Sequence, residues 1–328
     1  MSITRRSLLQ WSVAAPLAAG NFSLIQAAED SWPTKPIKLI VAFAPGGFTD
    51  IAARLLADTL SVKFGQTIIV ENLAGAAGLI GTQTAARAPA DGYTLLLGTI
   101  STHAINVGLY KHLPYDPVRD FVPVSGVASG VLVLVTHPST GAKDVDELIA
   151  KAKAHPGKLT YASGGNGTTS HLAAELFKST TGTDLLHVPY RSPAQATTGL
   201  LGGQVDIMFD TIPTSLAHVR SGKIIALGVT GTKRAEQMPN VPALGLTLPG
   251  FDPNTWAGLY APAGTPAAIV AKIGNGVREA LGSAKLKTRL ADIGMMPMGL
   301  GSEEFAAYVR TDTQRWVELI RKNNITMD

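Results

Sequence analysis

The chain has 328 residues, of which 45% are hydrophobic and 16% charged, and it contains no cysteine. That balance is typical of a globular protein and excludes a disordered or membrane-embedded chain. The lack of cysteine excludes disulfides and thiolate chemistry. The formal charge of +4 comes from 28 basic and 24 acidic residues scattered without a dense basic stripe, so nucleic acid is not an expected partner.

The N-terminus is predicted to be an export signal. Arg5-Arg6 precedes an apolar stretch over residues 11–19, and Ala27-Ala28 follows. A positive start, an apolar core and small residues are the parts of a secretory signal, and paired arginines are typical of the twin-arginine route. An uncleaved anchor is the alternative, but the stretch is shorter than the ~20 residues of a spanning helix. Residues 1–28 are therefore predicted to be a twin-arginine signal peptide, and the chain is expected in the periplasm.

The remaining residues are too many for one compact core, which favours two lobes. Strand-like and helix-like segments alternate along them, which predicts an α/β architecture with a parallel sheet. Residues 232–253, rich in proline, glycine and asparagine, are interpreted as irregular connection. Strands are predicted at residues 37–43, 94–97, 131–135, 159–162, 185–190, 205–209 and 224–229, and helices from residue 51, at 144–155, at 168–178, from 193, at 265–281 and from 302.

Three loops place glycine and hydroxyl residues between a buried strand and a helix, at residues 45–50, 98–106 and 163–171. Amides at a helix N-terminus lack partners, and the helix dipole favours an anion there. The carboxyl ends of parallel strands are also where open α/β sheets bind ligands. Each loop alone is equally an ordinary turn with a capping residue. Together, in two lobes, they predict one shared cleft.

Individual side chains near these loops allow two interpretations each. Phe48 is expected to pack either on an apolar part of a ligand or on a neighbouring helix. Asp50 binds a ligand amine or caps its helix, as carboxylates at helix starts commonly do. Arg191 pairs with a ligand carboxylate or forms an exposed salt bridge. Asp210, at the end of a hydrophobic strand, is a cap or a ligand contact.

Enzymatic motifs are weak in this sequence. Residues 165–170 resemble the dinucleotide-binding GxGxxG but end in serine and lie outside the first βα unit. There is no P-loop, G-x-S-x-G or HExxH, and the seven histidines are dispersed without a metal-ligand pair. Ser101 and His103 are poorly spaced for a nucleophile and base, and no orienting acid is evident. We therefore predict no catalytic residue, no metal and no cofactor.

Several segments together resemble the substrate-binding receptors of tripartite tricarboxylate transporters, also called Bug proteins. The likeness runs from about Trp32 to the final helix. Each segment is weak alone, but their order and spacing are specific. They are Trp32-Pro33-x-Lys35-Pro36-Ile37, Pro45-Gly46-Gly47-x-x-Asp50, Gly75-Ala76-Ala77-Gly78-x-Ile80-Gly81, Asp91-Gly92-Tyr93-Thr94-Leu95, His187-Val188-Pro189-Tyr190 and Leu201-Gly202-Gly203-Gln204-Val205-Asp206.

This resemblance implies a type II periplasmic-binding-protein fold, in which two α/β lobes enclose a ligand cleft and the chain crosses twice. Lobe 1 would hold residues 30–131 and 251–328, and lobe 2 residues 132–250. Such receptors grip a carboxylate through the loop matching residues 44–50, with ordered waters. The predicted ligand-binding residues are Phe43, Ala44, Gly46, Gly47, Phe48, Thr49, Asp50, Ser101, Thr102, Asn166, Gly167, Thr168, Ser170, Arg191 and Asp210.

The function implied by the resemblance is capture of a small carboxylate, such as a di- or tricarboxylate, and its delivery to a membrane permease. Such a receptor works as a monomer and needs no covalent chemistry. Two alternatives stay open. A liganded receptor can instead present its surface to a membrane sensor, and an exported enzyme of the same fold can act on a small acid.

Overall fold

Ten strands join edge to edge within residues 32–325, the part of the chain that the computed structural model describes. The predicted signal peptide, residues 1–28, lies outside the described residues. The strands are β1 (Ile37–Val41), β2 (Ile68–Asn72), β3 (Thr94–Thr99), β4 (Phe121–Thr136), β5 (Thr160–Ser163), β6 (Leu186–Pro189), β7 (Ile207–Thr211), β8 (Ile225–Val229), β9 (Asn254–Pro262) and β10 (Met296–Pro297).

The helices cover the faces of this sheet, and none within residues 32–325 is long and apolar enough to cross a membrane. A π-helical turn over Ser101–Ile105 leads directly into α3. The helices are α1 (Phe48–Phe64), α2 (Leu79–Ala86), α3 (Asn106–Leu109), α4 (Val145–Ala154), α5 (Thr169–Thr181), α6 (Pro193–Leu201), α7 (Ile212–Arg220), α8 (Ala267–Gly282), α9 (Ala284–Asp292) and α10 (Ser302–Lys322).

The strand order is β2-β1-β3-β9-β4-β7-β5-β6, with β8 and β10 also paired to β4. β1 is parallel to β2 and β3, and β5 is parallel to β6 and β7. The pairings of β4 and β9 are all antiparallel. The prediction of a parallel sheet is therefore wrong for the centre of the sheet, where β4 and β9 are antiparallel to their neighbours. The chain returns to the first half of the sheet through β9, which runs opposite to its neighbours.

Strand β4 belongs to both halves of the sheet. Its first part, from Phe121 to Val131, pairs with β9, and its last part, from Leu132 to Thr136, pairs with β7. The first half also contains β1, β2 and β3, and the second contains β5, β6 and β8. Two α/β lobes thus meet along one long strand, as the fold class predicted from the sequence requires.

Strand β9 is missing from the sequence prediction although it lies in the middle of the sheet. It is almost wholly buried, so it lacks the polar–apolar alternation of a half-exposed strand. Gly258 interrupts it for a packing reason, because a Cβ atom there would lie 1.9 Å from the ring of Phe305 on α10. The same strand is tied to α10 by a hydrogen bond from Trp256 Nε1 to Asp312 Oδ2 of 2.7 Å.

Each lobe has its own aromatic core. In the first lobe Trp256 and Tyr260 of β9 pack around Phe305 of α10, with ring centroids 5.6 and 5.4 Å from it. In the second, the rings of Phe177, Phe209 and Phe251 contact one another at 5.6–5.9 Å. These buried clusters hold the strand ends on which the functional site is built.

Candidate functional site

An inner chamber of about 80 Å³ opens where β1, β3, β5 and β7 end. Its walls come from both lobes. The loop between β1 and α1 faces the loops that precede α5 and α7, and β4 and β9 form the floor. The lining residues are Phe43, Ala44, Gly47, Phe48, Thr49, Asp50, Thr99, Ser101, Leu132, Thr168, Thr169, Ser170, Pro193, Met208, Phe209, Asp210, Thr211, Thr214 and Thr255.

Three helices begin at this chamber without a side-chain cap. Their N-cap residues are Gly47 for α1, Thr168 for α5 and Thr211 for α7, all in extended conformation. The first amides of each helix consequently have no intrahelical acceptor. Helix α6 also starts at the wall with Pro193, but Ser192 caps it. The amides and dipoles of these helix starts favour an anion in this volume, although Pro213 of α7 has no N–H and the carboxylates of Asp50 and Asp210 lie on the same walls.

Asp50 is committed to the protein and not to a ligand amine. Its carboxylate accepts hydrogen bonds from Gly46 N at 2.9 Å and Asn72 Nδ2 at 3.0 Å, and it forms an ion pair with Arg54 at 2.9 Å. Burial alone would raise the pKa of Asp50, but the hydrogen bonds from Arg54, Gly46 and Asn72 outweigh it and lower that pKa. Asp50 therefore shapes the loop between β1 and α1.

Asp210 lies on the chamber wall and also holds the start of α7. Its Oδ1 atom accepts from Thr211 N at 2.7 Å and Thr214 Oγ1 at 2.6 Å. Its Oδ2 atom accepts from Ser215 Oγ at 2.6 Å and Thr197 Oγ1 at 3.3 Å. Burial raises the pKa of Asp210 in spite of these four donors. Asp210 therefore fixes the start of α7 through the Thr211 N–H and hydroxyl groups without capping the first helical amides, and its contact with a ligand stays a prediction.

Ser101 links the two lobes at the chamber. Its Oγ atom lies 3.4 Å from Thr169 Oγ1 on α5. His103 is turned away into the core, where Nδ1 contacts Thr102 Oγ1 at 2.8 Å and the ring stacks on Tyr260 at 3.9 Å. Burial lowers the pKa of His103 to about 3. Ser101 and His103 are therefore not paired as a nucleophile and its base.

An outer cavity of about 260 Å³ adjoins the inner chamber and shares Phe43, Ala44 and Pro193 with it. Arg191 is the single Lys or Arg among its lining residues. The guanidinium has no hydrogen bond or ion pair with any residue between 32 and 325. The exposed salt bridge considered for Arg191 is thus not formed within the described chain. The cavity is lined by Phe43, Ala44, Ala74, Gly75, Ala76, Ala77, Gly78, Tyr110, Gly164, Gly165, Asn166, Pro189, Tyr190, Arg191, Ser192 and Pro193.

The predicted site residues fall into three groups. Those on the inner chamber are Phe43, Ala44, Gly47, Phe48, Thr49, Asp50, Ser101, Thr168, Ser170 and Asp210. Asn166 and Arg191 line the outer cavity. Gly46, Thr102 and Gly167 line neither cavity.

Each of these three residues has a structural reason for lying off the walls. Gly46 makes the turn, with φ of +85° and its N–H on Asp50. Thr102 is fully buried and donates to Thr99 O at 3.2 Å. Gly167 directs its N–H to His171 Nδ1 at 3.2 Å.

Several wall residues were missed from the sequence. Thr211 ends β7 and is the N-cap of α7, and Thr214 lies in the first turn after Pro213, so hydroxyl residues mark this strand-to-helix connection as they mark the three predicted loops. That signal was available and would have found both. Leu132 and Thr255 lie inside β4 and β9, so no loop pattern marks them. They reach the chamber because both strands run beneath the cleft.

A two-lobed α/β chain with a chamber between its lobes has the architecture of the periplasmic-binding-protein class. The model of the tripartite tricarboxylate transporter family receptor matches residues 52–325. BugT of Bordetella pertussis (strain Tohama I) is 37% identical over 312 residues, covering 94% of this chain and 93% of that protein. The chain therefore belongs to the tripartite tricarboxylate transporter receptor family, as the resemblance in its sequence predicted.

Solved structures agree with this assignment. Rpa4515 of R. palustris, determined with adipate, superposes with a TM-score of 0.87 at 35% identity, covering 89% of this chain and 98% of that one. MatC (Rpa3494) of Rhodopseudomonas palustris, with bound malate, gives a TM-score of 0.83 at 33% identity, covering 88% of this chain and 100% of that one. The fold class is thereby confirmed.

Proposed function

We propose that this receptor binds a small carboxylate in the cleft between its lobes, outside the cytoplasmic membrane, and delivers it to a membrane permease. The observation that carries the proposal is that three helices start at one chamber without a capping side chain. No Lys or Arg is among the residues that line this chamber, so backbone amides and hydroxyls are the donors available to a carboxylate. Amide and hydroxyl donors there would replace the water around a carboxylate. The adipate and malate bound to related receptors support an acid as the cargo.

The carboxylate would be held by the amides that begin α1 and α5 and by the hydroxyls of Thr49, Ser101 and Ser170, with ordered waters between them. A hydrogen bond to a charged acceptor contributes about 1.5–3 kcal/mol. Two or three of these beyond the ordering costs give micromolar affinity, about −8 kcal/mol. The remaining predicted residues on the inner chamber would supply shape and apolar contact.

The size of the inner chamber implies that the ligand continues beyond it. Its 80 Å³ compares with roughly 10–15 Å³ needed for one enclosed water, so it holds a carboxylate and a few carbons. The path leads past Phe43 and Pro193 into the outer cavity, where Arg191 is available. We propose that Arg191 pairs with a second carboxylate there, so that the cargo is a dicarboxylic acid.

Ligand capture would close the cleft by a hinge motion where the chain crosses between lobes. We propose that lobe 1 comprises residues 30–131 and 251–328 and lobe 2 residues 132–250, so that the crossings lie in β4 and just before β9. The closed, liganded form would be the form that the permease binds. The receptor would work in the periplasm as a monomer.

A thermal-shift screen of residues 29–328 against dicarboxylates, monocarboxylates, amino acids and sugars tests the proposal. A bound acid at ~100 times its dissociation constant adds about 2.7 kcal/mol to the free energy of unfolding. Mass spectrometry of the denatured protein would first exclude a co-purified ligand. Stabilisation by acids without conversion supports a receptor. No shift with any acid contradicts carboxylate capture, and conversion of the acid points to an enzyme.

A further inference from the structure

The loop that follows β5, residues 163–170, supplies Thr168, Thr169 and Ser170 to the inner chamber. We call it the ligand loop. It contains two positive-φ glycines, Gly165 at +119° and Gly167 at +77°, a conformation that glycine adopts without steric cost.

Two stacked histidines lie behind the ligand loop, and neither lines the chamber. His171 Nδ1 accepts the N–H of Gly167 at 3.2 Å. His187 Nε2 lies 2.7 Å from Ser163 Oγ, which itself accepts the N–H of Gly165 at 3.1 Å. The imidazole rings are stacked with their centroids 4.4 Å apart. Both glycines of the loop are therefore held, directly or through Ser163, by this pair.

The hydrogen bond from Gly167 requires a neutral His171. An imidazole nitrogen accepts only while it carries no proton, so the proton of His171 belongs on Nε2. Protonation would turn Nδ1 into a donor facing the donor of Gly167. The buried N–H of Gly167 would then lose its acceptor and this end of the loop would be released, although Thr168 Oγ1 still donates to Gly165 O and Gly164 N to Ser170 Oγ. A cation would also stack against His187.

Burial and the charge of Lys178 disfavour the cationic form of His171, and they outweigh the opposite effect of Glu175. On β5 it faces Tyr161, whose ring lies 6.4 Å away, and on β6 it faces His187. On its own helix it faces Glu175 and Lys178. Glu175 is already engaged by the Tyr161 hydroxyl and by Lys178, 2.9 Å away. Burial lowers the pKa of His171, and it lowers that of His187 to about 4.

We propose that His171 is a positioning residue that fixes the ligand loop through Gly167, and that its protonation releases the loop and lowers the affinity for the carboxylate. His187 supports it by stacking and by orienting Ser163. The inference rests on the proposed function only in taking the loop to contact the ligand. The affinity for the carboxylate is then highest while His171 is neutral. It decreases as the pH is lowered through the pKa of His171 in the ligand-free receptor.

The ligand-free protein tests the loop itself. We expect the ¹⁵N spectrum near neutral pH to show His171 with its proton on Nε2. We expect the Gly167 amide to exchange slowly, and its protection to fall by about fivefold in total as the pH decreases through the pKa of His171 and this hydrogen bond is lost. A proton on Nδ1, or a protection factor that does not change with pH, would overturn the proposal without any variant being made.

Two variants separate the hydrogen bond from the ring. His171→Asn keeps an acceptor oxygen that cannot be protonated, so we expect Gly167 protection as in the wild type at neutral pH and no acid loss. His171→Phe keeps a ring on His187 but no acceptor, so exchange of Gly167 at neutral pH should be about fivefold faster than in the wild type, the effect of one hydrogen bond, and protection should not fall further in acid. His155→Asn, at an exposed position beyond α4, should leave the wild-type profile. Wild-type exchange in the Phe variant would contradict the proposal.

Adipate and malate serve as probes for the consequence on binding. Calorimetric affinity for either should fall about fivefold in His171→Phe, and in the wild type it should decline with acidification as the Gly167 amide loses protection. His171→Asn should remove that decline. If neither acid binds, the exchange data still decide the role of His171, and the failure counts against the proposed function. Affinity that declines equally in wild type and His171→Asn would reject the link between this histidine and binding.

Discussion

Gly47 shows how a single residue can open or close the site. It is the N-cap of α1 and lines the inner chamber, and its φ of −87° is available to any residue. A Cβ atom built on it meets nothing within 4 Å. A larger side chain would therefore be tolerated by the fold and would extend into the space of the ligand.

We expect Gly47→Leu to abolish ligand-induced stabilisation while the free energy of unfolding of the ligand-free protein changes by less than about 0.5 kcal/mol. Gly282→Leu is the control, because that exposed glycine at the end of α8 also has free space around its Cβ position. Thermal unfolding with and without adipate measures both quantities. Normal stabilisation of the Gly47 variant would mean that the loop between β1 and α1 is not the carboxylate site.

Arg191 allows a test of the second carboxylate. Arg191→Ala should weaken adipate binding about tenfold or more, since a charged hydrogen bond contributes about 1.5–3 kcal/mol. Binding of hexanoate, which has the same chain length and one carboxylate, should be unchanged. Arg220→Ala, at an exposed position on α7, serves as the matched control. Equal losses for adipate and hexanoate would show that Arg191 acts without contacting the second acid group.

At the scale of elements, the sequence predicted the starts of helices better than the centre of the sheet. The helix predicted at residues 144–155 is α4, and its N-cap Asp144 accepts from Glu147 N through Oδ1 at 2.8 Å. Such caps are local, so a few consecutive residues reveal them. Strand β9 depends on neighbours far along the chain, and Gly258 within it makes sense only beside Phe305. Long-range packing of this kind leaves no short pattern.

The same reasoning explains which parts of the candidate site were found. Thr49, Thr168 and Ser170 belong to loops whose glycines and hydroxyls are adjacent in sequence, and they line the chamber. Thr255 lines it because β9 inserts beneath the cleft, which requires knowledge of the pairing with β4. Thr102 was predicted with its loop, but a π-helical turn directs it into the core.

The contact of β9 with α10 should be sensitive to a single methyl group. Gly258→Ala puts Cβ against Phe305, and we expect a loss of about 3 kcal/mol in the free energy of unfolding, the upper range for overpacking. Adding Phe305→Leu should recover part of that loss. Gly274→Ala in α8, where the nearest atom is 3.5 Å away, should instead stabilise by about 0.5–1 kcal/mol. Urea unfolding measures all three, and a Gly258→Ala protein of normal stability would contradict the packing.

Across the whole molecule, buried histidines make stability depend on pH. The pKa of His103 is lowered from 6.5 to about 3 and that of His187 to about 4, both mainly by burial. Between these values and 6.5 the unfolded chain binds more protons than the folded one. The contribution of these two histidines to stability is therefore full above pH 6.5 and is lost as pH decreases through that window, while the raised pKa of Asp210 acts in the opposite direction.

We expect the free energy of unfolding to drop by several kcal/mol between pH 7 and pH 4, since each unit of pKa difference contributes about 1.36 kcal/mol. His103→Phe keeps a ring on Tyr260 but cannot be protonated. The slope of its unfolding free energy against pH should therefore be smaller than that of the wild type, by the equivalent of up to one bound proton. His155→Asn should retain the wild-type slope, because His155 is exposed. Urea unfolding across this range is the measurement, and equal slopes for His103→Phe and wild type would refute the assignment.

The position of β9 in the sheet also determines the order in which the two lobes can fold during synthesis. By the time residue 253 has been synthesised, β4 to β8 are all present, so the second half of the sheet can assemble at once. The first half cannot, because β9 must still arrive between β3 and β4. Until then both strands expose unpaired edges, which invite pairing with other chains. The lobe that is begun first is completed last, and the newly made chain is most prone to aggregate during that interval.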